Sequence, residues 1–216
     1  PFLTFTPVAN ANGAAYASFT FQVRDDGGTL DGGTDLDASA NTITIDVTSV
    51  NDAPAGADIT LSTLEDTPYT FSAANFGFSD PDDAPANSLA AVRITTLPAT
   101  GSLTLAAGSS APGPVLAGQE IALADIPFLT FTPAANQHGL AQDSFTFQVR
   151  DDGGTLDGGT DLDASANTVT FDVTSVNDAP SGADNTLTIL ESSVYSFAAA
   201  DFGFTDINDL PSDNLL

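Results

Sequence analysis

Ser144-Phe145-Thr146-Phe147-Gln148-Val149-Arg150 alternates apolar and polar side chains without a break and runs into Asp151-Asp152-Gly153-Gly154. In an extended chain, alternation places Phe145, Phe147 and Val149 on one face and the polar residues on the other, which is the pattern of a half-buried strand. The acidic Gly-Gly stretch that follows ends it in a turn. The same residues stand at Ser18-Phe19-Thr20-Phe21-Gln22-Val23-Arg24, also followed by Asp-Asp-Gly-Gly. Residues 1–54 return as 127–180 at a constant offset of 126, with 46 of 54 positions identical and Ser18 to Thr42 unchanged. The offset holds beyond that block, pairing Leu64-Glu65 with Leu190-Glu191 and Phe76-Gly77-Phe78 with Phe202-Gly203-Phe204. A period of this length is a domain rather than a solenoid turn.

The rest of the unit has the same character. Asn41 to Val47 and its copy Asn167 to Val173 alternate, and Ala57 to Leu64, Tyr69 to Phe71, Ala90 to Thr96, Gly101 to Leu105 and Phe128 to Thr132 are further strand candidates. No stretch has a helical period, and Pro and Gly punctuate at short intervals, as in Leu97-Pro98-Ala99-Thr100-Gly101. About seven short strands per unit give an all-β fold, an antiparallel β-sandwich repeated in tandem. Boundaries fall after Val50-Asn51-Asp52-Ala53-Pro54 and Val176-Asn177-Asp178-Ala179-Pro180, where proline stops sheet pairing. Residues 1–54 then read as the later strands of one repeat, 55–180 as a complete repeat, and 181–216 as the first strands of the next.

Composition narrows the function. The formal charge is -26, from 26 Asp and 3 Glu against Arg24, Arg93 and Arg150, with no Lys and no Cys. A polyanion gains nothing from counterion release at phosphates, so nucleic acid is not an expected partner. Anionic membrane surfaces repel it, and no apolar run approaches the ~20 residues of a membrane span. No N-terminal signal peptide is visible, and an export signal lying outside these residues is compatible with the reading. Without cysteine there is no disulfide staple, which leaves metal as the obvious alternative for an extracellular sandwich. Catalysis finds little support. His138 is the lone histidine and its copy is Asn12, while Glu65 and Glu191 are one position seen twice. Arg24 and Arg150 read as local charge partners and Tyr69 and Tyr195 as core.

Strand, V-R-D-D-G-G turn, last strand and S-V-N-D-A-P linker follow one another in each copy. This order resembles the cadherin superfamily, and within it the cadherin-like repeats of large bacterial surface adhesins, over the whole chain. Asp80-Pro81-Asp82 stands where that family has its D-x-D pair, and Glu65 where it has a first-strand Glu. Ser49 and Ser175 replace the Asp that opens the family's linker. The resemblance implies Ig/cadherin-like sandwiches in an elongated array with Ca²⁺ at the junctions. Following strand directions, Asp80, Asp82, Asp83, Asp151 and Asp152 gather near Asn51 and Asp52 in one linker. Glu65 goes with Asn177, Asp178, Asp206 and Asp209 at the other.

Two carboxylates ~4 Å apart repel by roughly 4 kcal/mol at an effective dielectric of about 20, and Ca²⁺ removes that repulsion with 6 to 8 oxygen ligands. The same residues also suit plain polar turns, since Asp and Gly dominate turns for backbone reasons. A private ion in the loop of Asp157, Asp161 and Asp163 is a separate alternative. The functional expectation is a Ca²⁺-rigidified extender repeat of an extracellular or cell-surface bacterial adhesin or fibre, partnered by neighbouring repeats. Two rivals stand beside it: a filament of identical chains completed by strand exchange, and a glycan-binding module.

Overall fold

The computed structural model describes residues 3–209 and 211–216, and the chain forms two compact units. One holds the stretch up to Ala53 together with Asp80–Ser88 and Asp152–Asp161. The other holds Pro54–Ser79, Leu89–Asp151 and the stretch from Leu162 onward.

The first unit is built on an antiparallel hairpin, β1 (Gly13–Phe21) with β2 (Asn41–Val47), in which Phe19 faces Ile43 across the ladder. Arg24 follows β1 and its guanidinium donates from Nε (2.8 Å) and from a terminal nitrogen (2.6 Å) to Asp35. A two-stranded sheet has no facing layer, so the apolar side of the hairpin stays open. Phe19 is 37 % and Ile43 42 % exposed.

The second unit is a β-sandwich. Its strands are β3 (Ile59–Leu64), β4 (Tyr69–Thr70), β5 (Leu89–Ile94), β6 (Ser102–Leu105), β7 (Gly113–Pro114), β8 (Glu120–Ala122), β9 (Leu129–Thr132), β10 (Gly139–Asp151) and β11 (Asn167–Thr174). One sheet runs β3-β11-β10-β5-β8 and the other β4-β9-β6-β7. Between them lie Val92, Ile94, Leu103, Leu105, Ile121, Leu129, Phe131, Phe145, Phe147, Val149, Val169 and Phe171, all buried. Phe131 and Phe171 stack with centroids 3.8 Å apart, and Phe71 meets Phe145 edge-on at 5.7 Å. Each such ring contributes about 1.5–3 kcal/mol on burial. The 3₁₀ turn Ala73–Phe76 adds Phe76 to the core. It ends at Gly77 with φ of 57°, where a Cβ would lie 2.6 Å from the Ala57 methyl.

The sandwich expected from alternation is present, and every candidate strand of the complete repeat lies on or within a residue or two of an observed one. One pairing differs from the antiparallel rule. β3 runs parallel to β11, from Ile59 beside Val169 to Leu64 beside Thr174. That register positions the site: the ladder continues with Glu65 N–H donating to Thr174 O at 2.9 Å, so the end of β3 arrives where β11 becomes the Ser175–Pro180 linker.

Candidate metal centre

Glu65 is the first residue past β3 and is 2 % exposed. Its carboxylate accepts the Val176 N–H of the linker and faces His138 Nδ1 at 3.2 Å. Burial alone would raise its pKa, but the bonds from Val176, His138 and Ser175 win, and the group is held below the ordinary glutamate value. Glu65 therefore stands as an anion inside the fold. Asp178 and Asp209 join it, with one carboxylate oxygen from each of the three lying within 4.8 Å of the others. A second group, Asp206, Asp209 and Asp213, meets the same criterion and shares Asp209 with the first. The loop carrying them is fixed by the backbone: Asp178 N–H donates to Asp209 at 2.8 Å and Asp213 N–H to Asp206 at 2.9 Å.

Donors do not saturate this cluster. Asp178 Oδ2, Asp206 Oδ1 and Asp209 Oδ2 are buried without a hydrogen-bond partner, although Asp206 is only 8 % and Asp209 7 % exposed. Burial, and then the negative charges of Glu65, Asp209 and Asp66, push the Asp178 pKa up. Asp206 is raised by burial and by Asp209 beside it. Native proteins pair nearly all buried polar atoms, so three orphan carboxylate oxygens in one place call for a counter-charge. A cleft of about 300 Å³ lined by Asn177, Asp178, Asp206 and Asp213 opens beside them.

The first unit holds a related arrangement. Asp52 N–H donates to Asp83 at 3.1 Å and Asn87 N–H to Asp80 at 2.9 Å, repeating the backbone bonds around Asp209 and Asp206 at the 126-residue offset. Here a side-chain amide enters the network. Asn87 Nδ2 donates to Asn51 Oδ1 and to Asp83 at 3.4 Å. Asn51 also holds Thr160 through two bonds, Nδ2 to Thr160 O at 2.7 Å and Thr160 N–H to Asn51 O at 2.9 Å. Asp152 accepts the Ser88 N–H at 2.7 Å. A Cβ at Gly153 would overlap the Asn51 and Asn87 amides, so only glycine fits there.

Of the residues singled out in the sequence, Glu65, Asp178, Asp206 and Asp209 converge, and Asn51, Asp52, Asp80, Asp83 and Asp152 share the first unit's network. Asp82 is exposed on the loop surface, and Asp151 is a buried end residue of β10 opposite Leu89. Asn177 is exposed, its Nδ2 donating to Asp178 O at 3.1 Å. The sequence reading missed Asn87, Asp213 and His138. The first two are one repeat position seen twice, visible as an Asn-for-Asp exchange. His138 gives no repeat signal, because its copy is Asn12. In the Asp157–Asp163 loop, Asp163 is committed to structure, accepting from Gly56 N–H at 2.9 Å and Asn167 Nδ2 at 2.7 Å. Arg150, read as a local charge partner, donates instead to Glu120 on β8, 30 residues away in sequence, at 2.6 Å.

A family model described as bacterial Ig domain matches residues 51–160, just over half of the chain. The chain belongs to the bacterial Ig domain family. No curated protein matches it, and no solved structure matches it. The family match accounts for the sandwich and supports the cadherin-like reading at that coarser level of an Ig-like bacterial repeat. It begins at Asn51, in the linker, and so includes the residues of the first unit's network. Bacterial Ig domains are commonly extracellular or surface-exposed, and the family is typically non-enzymatic. Among the described residues no helix is long and apolar enough to cross a membrane.

The donors of this bacterial Ig domain suit a hard cation. They are carboxylates, with backbone carbonyls of the linker nearby and no thiol in the chain. Oxygen-only sites of adaptable geometry favour Ca²⁺ over Mg²⁺, which demands near-ideal octahedral ligation. The one imidazole close by is turned to Glu65.

Proposed function

We propose that this bacterial Ig domain is an extender repeat of an extracellular bacterial surface protein, of the cadherin-like adhesin type, whose linkers are stiffened by Ca²⁺. The observation that carries the reading is the pair of carboxylate groups sharing Asp209, assembled from the end of β3, the linker and the following loop, with three buried oxygens left without donors. Glu65, Asp178, Asp206, Asp209 and Asp213 would hold the ion. Bound Ca²⁺ supplies positive charge that neutralises these groups and ties the Ser175–Pro180 linker to the strands before it and the loop after it. The chain's own part is to hold the ligands in place: Val176 and His138 bond the Glu65 carboxylate, and backbone N–H groups hold one oxygen each of Asp209 and Asp206, leaving the other oxygen without a donor. Such a joint transmits force and direction along a tandem array, which is what a distant binding module requires. The partners in this reading are the neighbouring repeats.

Affinity is expected in the extracellular range, roughly 10⁻⁴ to 10⁻³ M. At about 10 mM Ca²⁺, linkage then stabilises the folded chain by about 1.4–2.7 kcal/mol, a rise in melting temperature of roughly 3–10 °C. Small-angle scattering in Ca²⁺ should show a longer maximum dimension than in EDTA. Identical melting curves and identical scattering in the two conditions would remove Ca²⁺ from the mechanism.

A further inference from the structure

The two linkers share their backbone hydrogen bonds to the following loop, and among the positions at which the two loops differ, one carries a side chain that enters the carboxylate network. At residue 87 the position is Asn and at residue 213 it is Asp. In both, the backbone N–H donates to the first Asp of its loop at 2.9 Å, Asp80 in one case and Asp206 in the other. The linker N–H of Asp52 or Asp178 likewise reaches the second Asp, Asp83 or Asp209. These two backbone bonds are therefore common to both, and the side chain at this position differs in chemistry. Asn87 is a donor: its amide bonds Asn51 and Asp83. Asp213 is an acceptor: its carboxylate lies with those of Asp206 and Asp209, whose oxygens Asp206 Oδ1 and Asp209 Oδ2 remain unpartnered at 8 % and 7 % exposure.

Resting on the proposed Ca²⁺ function, we infer that this position tunes each linker's demand for a divalent cation: Asn87 supplies N–H donors to Asn51 and Asp83 and lowers that demand, whereas Asp213 adds a carboxylate beside Asp206 and Asp209 and raises it. The physical basis is charge count. Removing one carboxylate from a Ca²⁺ site and supplying an N–H₂ in its place both lowers the attraction and fills a lone pair the ion needs, and ligand charge is a main determinant of Ca²⁺ affinity. A chain of near-identical repeats thereby carries linkers of two kinds, one that responds less to Ca²⁺ and one that responds more. The exchange costs one residue and leaves the backbone unchanged.

The test is calorimetric titration of the whole chain with CaCl₂, comparing the unaltered protein with Asp213→Asn and Asn87→Asp. Asp213 is exposed and Asn is its isostere, so the fold is retained, which circular dichroism checks. Asp213→Asn is expected to weaken the strongest Ca²⁺ event by about tenfold or more. Asn87→Asp is expected to add a binding event that the unaltered chain lacks. If the unaltered chain binds Ca²⁺ and Asp213→Asn binds it equally well, the assignment to this position is wrong while the Ca²⁺ function stands. A flat titration of the unaltered chain at millimolar CaCl₂ removes the Ca²⁺ function itself, and the inference with it.

Discussion

Replacing Phe145 with Ala is expected to cost about 3–5 kcal/mol of stability, while the same replacement at Phe19 costs about 1 kcal/mol or less. Both residues sit in the identical stretch Ser-Phe-Thr-Phe-Gln-Val, so local propensity, alternation and unfolded-state behaviour are matched. What differs is enclosure. Phe145 is 1 % exposed, edge-on to Phe71 at 5.7 Å and tilted against Phe171 at 6.3 Å. Truncating it removes the ring's burial and leaves a cavity that the Phe cluster cannot close. Phe19 is 37 % exposed and meets Phe21 at 6.4 Å on an open hairpin face, so water fills the space at once. Domains of this size hold about 5–15 kcal/mol in total, so the Phe145 variant loses a large share of it. Urea unfolding of the two variants checks this. Equal losses would mean that stability is set by the strand sequence rather than by the sandwich around it.

The same contrast explains what could be read from the sequence. Strands such as β10 and β11 were legible because alternation of period 2 is itself the imprint of a sheet with one face buried. β7 and β8 were not. Gly113–Pro114 and Glu120–Ala122 are too short to show a period, and a proline within the first argues against a strand until an edge position is known. The parallel pairing of β3 with β11 leaves no trace in either strand's pattern, because side-chain alternation is the same whichever way a neighbour runs. Yet that pairing is what delivers Glu65 to the linker.

The site was legible in part for a related reason. Asp206, Asp209 and Asp178 stood out by residue type and by the repeat offset, and strand direction brought Glu65 to them. Asn87 did not stand out, since an amide looks like an ordinary turn residue until the Asn51 and Asp83 oxygens it bonds are seen. Departures between the copies turned out to be the informative positions. Asn12 against His138, Asn87 against Asp213 and Ala17 against Asp143 each mark a place where one copy has a contact the other does without.

Asp143 yields the second large effect. It is 5 % exposed in β10, and its carboxylate accepts from the N–H groups of Ala99 (2.8 Å), Thr100 (3.1 Å), Gly101 (2.7 Å) and Ser144 (2.8 Å), and from the Thr100 hydroxyl (3.1 Å). These bonds pin the Leu97–Gly101 turn, which feeds β6, onto β10. Burial works to raise the Asp143 pKa, but the four backbone donors outweigh it and the value lies below the ordinary aspartate range. Asp143→Asn places an N–H₂ against N–H donors and is expected to cost about 3 kcal/mol at pH 7, since bonds to a charged acceptor contribute about 1.5–3 kcal/mol each and buried donors would be left unpaired. The depressed folded pKa fixes the pH dependence. The ion's contribution is complete above the unfolded aspartate pKa of about 3.9 and is lost as pH falls through the lower folded value. The gap in urea midpoint between the unaltered chain and Asp143→Asn should therefore be constant from pH 7 down to about pH 5 and close as the acid limit is approached. A gap that persists unchanged to the lowest pH at which the chain folds would assign the loss to the shape of the amide rather than to the charge. Absence of a gap at pH 7 would show that the Leu97–Gly101 turn holds its place without the carboxylate.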